Sequence, residues 1–179
     1  IGKLIGPKSI LNKPGSLSDK EFEIIRMHPE AGREKLLEIN KVVDPSIIDI
    51  TVQHHEHLDG KGYPKRLVGG QIHYFSRIIA IADVYDALTS ERAYKRAYKA
   101  YTASKIMMKC STGQFDEALL KLFFNNVALY PVGTILRTKL GYAIVKKVIF
   151  GQTGTPIVCV FADENARVFD TPFDVDLSK

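Results

Sequence analysis

The sequence predicts a mainly α-helical chain that ends in a small antiparallel β appendage. Two observations carry this. Apolar residues recur at helical spacing behind capping signatures as far as about residue 126. After Tyr130-Pro131 the character changes to β-branched and aromatic runs separated by Gly-containing turns. The 179 residues are 45% apolar, enough for a core and too many for disorder. The shift in character divides a helical domain, 1–128, from a β subdomain, 129–179.

Ile10 to Gly15 reads as a loop containing Pro14-Gly15. Ser18-Asp19-Lys20-Glu21 is a capping box, with Ser18 as N-cap and Glu21 reaching back. The helix behind it is expected to turn Phe22, Ile24, Ile25 and Met27 inward. Pro29 biases His28 away from helical geometry and starts a new helix over 30–39, which leaves His28 at a junction. Asp44-Pro45 repeats that start. Ile47, Ile48, Ile50 and Val52 make a helix that runs into Gln53-His54-His55-Glu56. An irregular segment follows over 57–74, with Asp59-Gly60-Lys61-Gly62-Tyr63-Pro64 and Gly69-Gly70. Segments of that length inside a compact domain are uncommon and often functional. An apolar helix over 75–88 carries Asp83 and Asp86. Thr102 is expected to cap a helix reaching Met108, and 115–126 is a further amphipathic helix. Strands are expected over 132–138, 142–150 and 157–161.

Charge and composition narrow the function. Lys and Arg total 25 against 20 Asp and Glu. That balance favours anionic partners such as nucleotides, although many plain soluble proteins share it. Cys110 and Cys159 lie far apart with no C-x-x-C, against a disulfide scaffold or thiolate zinc site and in keeping with a reducing cytoplasm. They suggest core packing only. The longest apolar runs are too short to span a bilayer, and no signal peptide is visible. A cytoplasmic protein with no membrane or DNA partner is expected.

Four side chains have the character of metal ligands: His28, His54, His55 and Asp83. Imidazole with carboxylate suits iron, manganese, zinc or nickel. Adjacent helical residues point about 100° apart. His54 and His55 can therefore grip one ion only if the helix ends there, which Gly60 and Gly62 allow; otherwise the pair is a surface accident. Asp83 interrupts the apolar run Ile78 to Val84. A carboxylate there is costly to bury alone, so it faces a cation or hydrogen-bonds a helix terminus. Lys3, Arg92 and Lys95 could clamp phosphate, Arg as a fork and Lys as a point charge. Arg96 and Lys99 read as a solvated basic face.

His54-His55-Glu56-His57-Leu58-Asp59-Gly60-Lys61-Gly62-Tyr63-Pro64 resembles the HHExxDGxGYP signature of the HD-GYP phosphodiesterases, a branch of the HD superfamily of helical bundles. Three further stretches agree in order and spacing: Ile1-Gly2-Lys3, Met27-His28-Pro29 and Arg77 through Arg92. The resemblance covers about residues 1–126. It implies a bacterial signalling enzyme that hydrolyses cyclic di-GMP to pGpG or GMP with divalent metals, iron or manganese, two or three in number. His28, His54 and His55 would ligate one metal and Asp83 another. Lys3 would contact the scissile phosphate. Gly62, Tyr63 and Pro64 would shape the pocket, and Arg92 and Lys95 would hold the second phosphate or the guanines. Glu56 and Asp86 would orient ligands or support helices. GGDEF-type diguanylate cyclases, other signalling proteins or a second copy are the macromolecular partners it suggests.

The family's His-Asp pair belongs immediately before Ile1, where the Asp bridges both metals. A chain beginning at Ile1 is expected to bind one metal weakly or none and not to catalyse, with an upstream segment supplying the pair. Gly6 also follows Lys3 one position later than the family's usual spacing. His57 and His73 match no ligand position and are expected at the surface or pocket rim. Two other readings stand beside the enzyme. One is a non-catalytic module that binds cyclic di-GMP or a protein. The other is a phosphohydrolase of other nucleotides, which the intact GYP triplet argues against.

Overall fold

The computed structural model describes residues 2–39, 42–91 and 96–179. Arg92 and Lys95 lie outside the described residues. The chain forms two compact units, one of residues 1–99 and 105–120, the other of residues 100–104 and 121–179.

After a 3-10 turn at Gly2–Ile5 come α1 (Lys8–Leu11), α2 (Asp19–Arg26), α3 (His28–Ile39), α4 (Pro45–Gln53) and α5 (Tyr74–Thr89). Then follow α6 (Ala100–Lys109), α7 (Ser111–Gln114) and α8 (Glu117–Asn126). α7 is a single turn broken at Thr112 and Gly113. In the first unit α3 packs on the Gly2–Ile5 turn and on α4, and α4 packs on α5. Gly2 makes the first of these contacts possible, because a Cβ there would collide with the His28 carbonyl oxygen. Val52, Ile72, Ile81, Met107, Phe115 and Leu120 are buried in this unit.

Several local expectations hold. The capping box is present, with Ser18 Oγ accepting from Glu21 N–H and the Ser18 N–H donating to Glu21 Oε2. Asp44 caps α4 through the Ser46 N–H at 2.7 Å. The segment between α4 and α5 is irregular apart from a 3-10 turn at Gly69–Gln71 and one bridge between Asp59 and Val68. Arg96 and Lys99 are exposed.

Others are corrected. Phe22, Ile24 and Met27 are 45%, 46% and 61% exposed, and only Ile25 is half-buried. At about 100° per residue these four positions spread around the helix, so no one face could bury them all. His28 is the first residue of α3 rather than outside it, since the Ala31 N–H already bonds the Met27 carbonyl. Thr102 lies inside α6, which starts at Ala100 without a side-chain cap. α8 begins two residues later than expected, capped by Asp116, whose carboxylate accepts from Ala118 and Leu119 N–H. Cys110 is exposed and Cys159 half-buried, so neither is a core residue.

The second unit holds a four-stranded antiparallel meander, β1 (Ile135–Thr138), β2 (Gly141–Ile149), β3 (Gln152–Ala162) and β4 (Val168–Asp176). Its core is Ala143, Val145, Val158 and Val160, with Tyr130, Leu136, Phe169 and Val175 packed against it. Val145 stands opposite Val158, and Val158 opposite Val175, so one face of three strands is apolar. β1 starts later than expected because residues 131–134 turn, the Thr134 N–H bonding the Pro131 carbonyl. β3 is longer than expected, and β4 makes the sheet a larger part of the chain than an appendage of three short strands.

Candidate metal centre

Three imidazoles converge in the first unit. Each of His28, His54 and His55 offers a ring nitrogen, and these atoms lie within 4.8 Å of one another. Two chain breaks in helical geometry put them there. His28 opens α3 and His54 closes α4 as its C-cap, after which the chain turns and His55 swings to the same side.

The ring orientations are set by backbone carbonyls. His28 Nδ1 lies 2.7 Å from the Ile25 carbonyl oxygen, and His54 Nδ1 lies 2.9 Å from that of Thr51. A carbonyl only accepts, so both rings carry their proton on Nδ1 and present a bare Nε2. Those two Nε2 atoms are 3.2 Å apart. Two lone pairs at that distance repel unless a cation or proton lies between them. His55 Nε2 is buried and has no hydrogen-bond partner among the described residues.

Burial keeps all three rings neutral. It pushes His28 down to about 4 and His55 down to about 2, and it lowers His54. Lys3 and the neighbouring imidazoles push in the same direction. Neutral imidazole is the metal-binding form. The donor set thus fits a divalent transition ion: a ring nitrogen from each of three neutral imidazoles, with Nδ1–H groups anchored behind two of them.

Asp83, on α5, brings Oδ2 to 3.8 Å from His55 Nδ1. With His55 neutral, this is a carboxylate beside an uncharged ring rather than an ion pair. Lys3 lies on the Gly2–Ile5 turn and, with Gly2, His28, Ile50, Thr51, His54 and Ile79, lines a cavity of about 320 Å³. Asp86 accepts from Ser90 Oγ at 2.9 Å and secures the end of α5.

Over the cluster lies the glycine-rich loop. Gly62 passes so close to the His55-Glu56-His57 backbone that a Cβ would overlap His57 N, Glu56 Cα and His55 O. The next residue, Tyr63, donates its N–H to the His55 carbonyl (3.1 Å) and stacks its ring on the His55 imidazole, 4.7 Å between centroids at 25°. A cis peptide joins Tyr63 to Pro64. Glu56, 3% exposed, holds the far side of the loop, accepting the Lys65 N–H at 2.6 Å and the Leu67 N–H at 3.0 Å. Gln53 does the same further on, its Oε1 accepting the His73 N–H at 2.7 Å.

Of the positions singled out in the sequence, the structure brings together His28, His54, His55, Asp83, Lys3, Gly62 and Tyr63, with Pro64 following in the same loop. His57 is half-buried and His73 caps α5, where Nδ1 accepts the Phe75 N–H. Sequence reasoning passed over Gln53, and over Arg26, whose guanidinium carbon stands 5.1 Å from the Tyr63 ring centroid. A charged residue two positions before a candidate ligand was the available signal.

The chain matches the HD domain family over residues 1–119. With its Gly62-Tyr63-Pro64 triplet it belongs to that family as an HD-GYP member. It is similar, at 39% identity over 183 residues, to a cyclic di-GMP phosphodiesterase of Pseudomonas aeruginosa, covering 100% of this chain and 43% of that protein. A 3′3′-cGAMP-specific phosphodiesterase of Vibrio cholerae is 39% identical over 132 residues, 73% of this chain and 30% of that one. Among solved structures, an HDG"Y"P protein from Bdellovibrio bacteriovorus superposes with a TM-score of 0.50 at 25% identity, over 62% of this chain and 35% of that chain. The chain therefore spans less than half the length of these relatives. Among the described residues no helix is long and apolar enough to cross a membrane.

Proposed function

We propose that this chain carries the metal-binding catalytic site of a phosphodiesterase that hydrolyses cyclic di-GMP to pGpG or GMP. The observation that carries the reading is the pair of bare Nε2 atoms of His28 and His54 at 3.2 Å, with His55 offering a ring nitrogen in the same cluster. His28, His54 and His55 would hold one divalent ion, iron or manganese, and Asp83 would serve a second. A bound metal pair would polarise the phosphodiester and activate water for in-line attack.

The chain's own residues supply the rest. Lys3 at the cavity places a positive charge where a phosphodiester would enter, offsetting charge that builds on the phosphoryl oxygens. The Ile25 and Thr51 carbonyls fix two imidazoles so that no reorientation accompanies substrate binding. The loop held by Glu56 lays Tyr63 over His55, forming an aromatic wall. Arg92 and Lys95 would bind the distal phosphate or guanines. Because relatives of similar identity are named for cyclic di-GMP and for 3′3′-cGAMP, the second base is the point on which substrate choice turns.

The test is incubation of the purified protein that carries this chain with cyclic di-GMP and Mn²⁺, products being separated by chromatography. Release of pGpG or GMP, lost in His54→Ala and reduced in Lys3→Ala, supports the reading. Cyclic di-GMP bound but left intact by metal-loaded protein would make the chain a binding module instead.

A further inference from the structure

The Tyr63 ring lies flat on a candidate metal ligand, and side chains of α2 touch it from other sides. Phe22 meets it edge-on at 6.3 Å between centroids. The Arg26 guanidinium carbon stands 5.1 Å from the Tyr63 centroid and 5.7 Å from that of Phe22. Both distances are within cation–π range. The Arg26 side chain is 24% exposed, and its Nη1 is tied to Glu23 Oε1 at 2.8 Å one turn earlier in α2. The planar cation is thus mostly withdrawn from water and fixed at one end, conditions under which it grips an aromatic face best.

Two residues from Arg26 along the same helix end is His28, whose Nδ1 is bonded to the carbonyl of Ile25. The last turn of α2 therefore touches the cluster twice, at His28 through the Ile25 carbonyl and at His55 through the Tyr63 ring.

We propose that Arg26 is a positioning residue that holds Tyr63 on His55, so that the last turn of α2 sets two of the three imidazoles of the metal centre. This rests on the reading of His28, His54 and His55 as ligands, but not on the identity of the substrate.

The experiment is a double-mutant cycle read by calorimetric titration of Mn²⁺ into wild type, Arg26→Met, Tyr63→Ala and the double variant. Methionine keeps the length and apolar stem of the side chain without its charge. Arg26→Met is expected to weaken Mn²⁺ binding about two- to fivefold, Arg26→Lys to recover part of that loss, and the double variant to bind no more weakly than Tyr63→Ala alone. Glu38→Gln, which removes only the exposed ion pair with Lys35 near the end of α3, is expected to bind as wild type. Unchanged binding in Arg26→Met, or losses that simply add in the double variant, would overturn the proposal. If the cycle shows coupling while cyclic di-GMP is not cleaved, the role of Arg26 stands and the proposed activity falls.

Discussion

His28 and His54 face each other through their Nε2 atoms at 3.2 Å, each ring held from behind by a backbone carbonyl at its Nδ1. Neither ring can turn to relieve the contact without giving up a part-buried hydrogen bond, worth about 1 kcal/mol. A cation shared between the two nitrogens turns that conflict into coordination. Removing the carbonyl-bonded ring should therefore cost metal and spare the fold. His28→Gln is expected to lower Mn²⁺ affinity at least tenfold, read by calorimetry, with a urea midpoint close to that of the metal-free wild type.

Gly62 is a position in the loop over the cluster where no side chain fits. A Cβ would overlap main-chain atoms of His55, Glu56 and His57, which cannot move aside as a side chain can. Gly62→Ala is expected to destabilise by about 3 kcal/mol and to lift Tyr63 from His55. Gly70→Ala, with no atom near its Cβ, is expected to stay within about 0.5 kcal/mol of wild type. Urea unfolding of the two variants measures the difference.

Glu56 closes the loop from the other side. Glu56→Gln replaces one accepting oxygen by a donor, leaving the Lys65 or Leu67 N–H facing another N–H. The expected cost is about 1–3 kcal/mol, with faster hydrogen exchange at Lys65 and Leu67 than at amides of α5. Equal protection in wild type and variant would show that the carboxylate does not hold the loop.

The capping box gives a pH dependence. Glu21 is held down at about 2 by Lys13 first and by the Ser18 N–H and hydroxyl next. A carboxyl whose pKa is lower in the folded state binds its proton more readily in the unfolded chain. Its stabilisation is complete above about 4.5 and is lost as pH falls towards 2. The neutral histidines of the cluster add acid sensitivity in the same direction, but equally in wild type and in Glu21→Gln. Thermal unfolding between pH 5 and 2.5 should fall more steeply for wild type than for Glu21→Gln.

Much of this site is legible in the sequence because its parts are local. Ser18 with Glu21, and Asp44 with Pro45, announce helix starts within four residues. His54-His55 followed by glycines announces a helix end that can aim two imidazoles together. What escaped depends on contacts distant in sequence. Arg26 meets Tyr63 across 37 positions, and the one local mark, a charge two places before His28, does not name its partner. β4 escaped for a different reason. Asp170, Pro172, Asp174 and Asp176 interrupt its apolar residues, a composition that disfavours central strands, and β4 pairs only with β3 at the sheet edge, where proline is tolerated. The inward face assigned to α2 failed because Phe22, Ile24, Ile25 and Met27 do not share one helical stripe.

The central claim is that His28, His54 and His55 form a metal centre. Elemental analysis of the purified protein that carries this chain, beside its His28→Ala, His54→Ala and His55→Ala variants, tests it most directly. Bound iron or manganese is expected in the wild type, with a marked loss in each variant. Metal absent from the wild type after growth with both ions, or retained undiminished when the three imidazoles are removed, would contradict it.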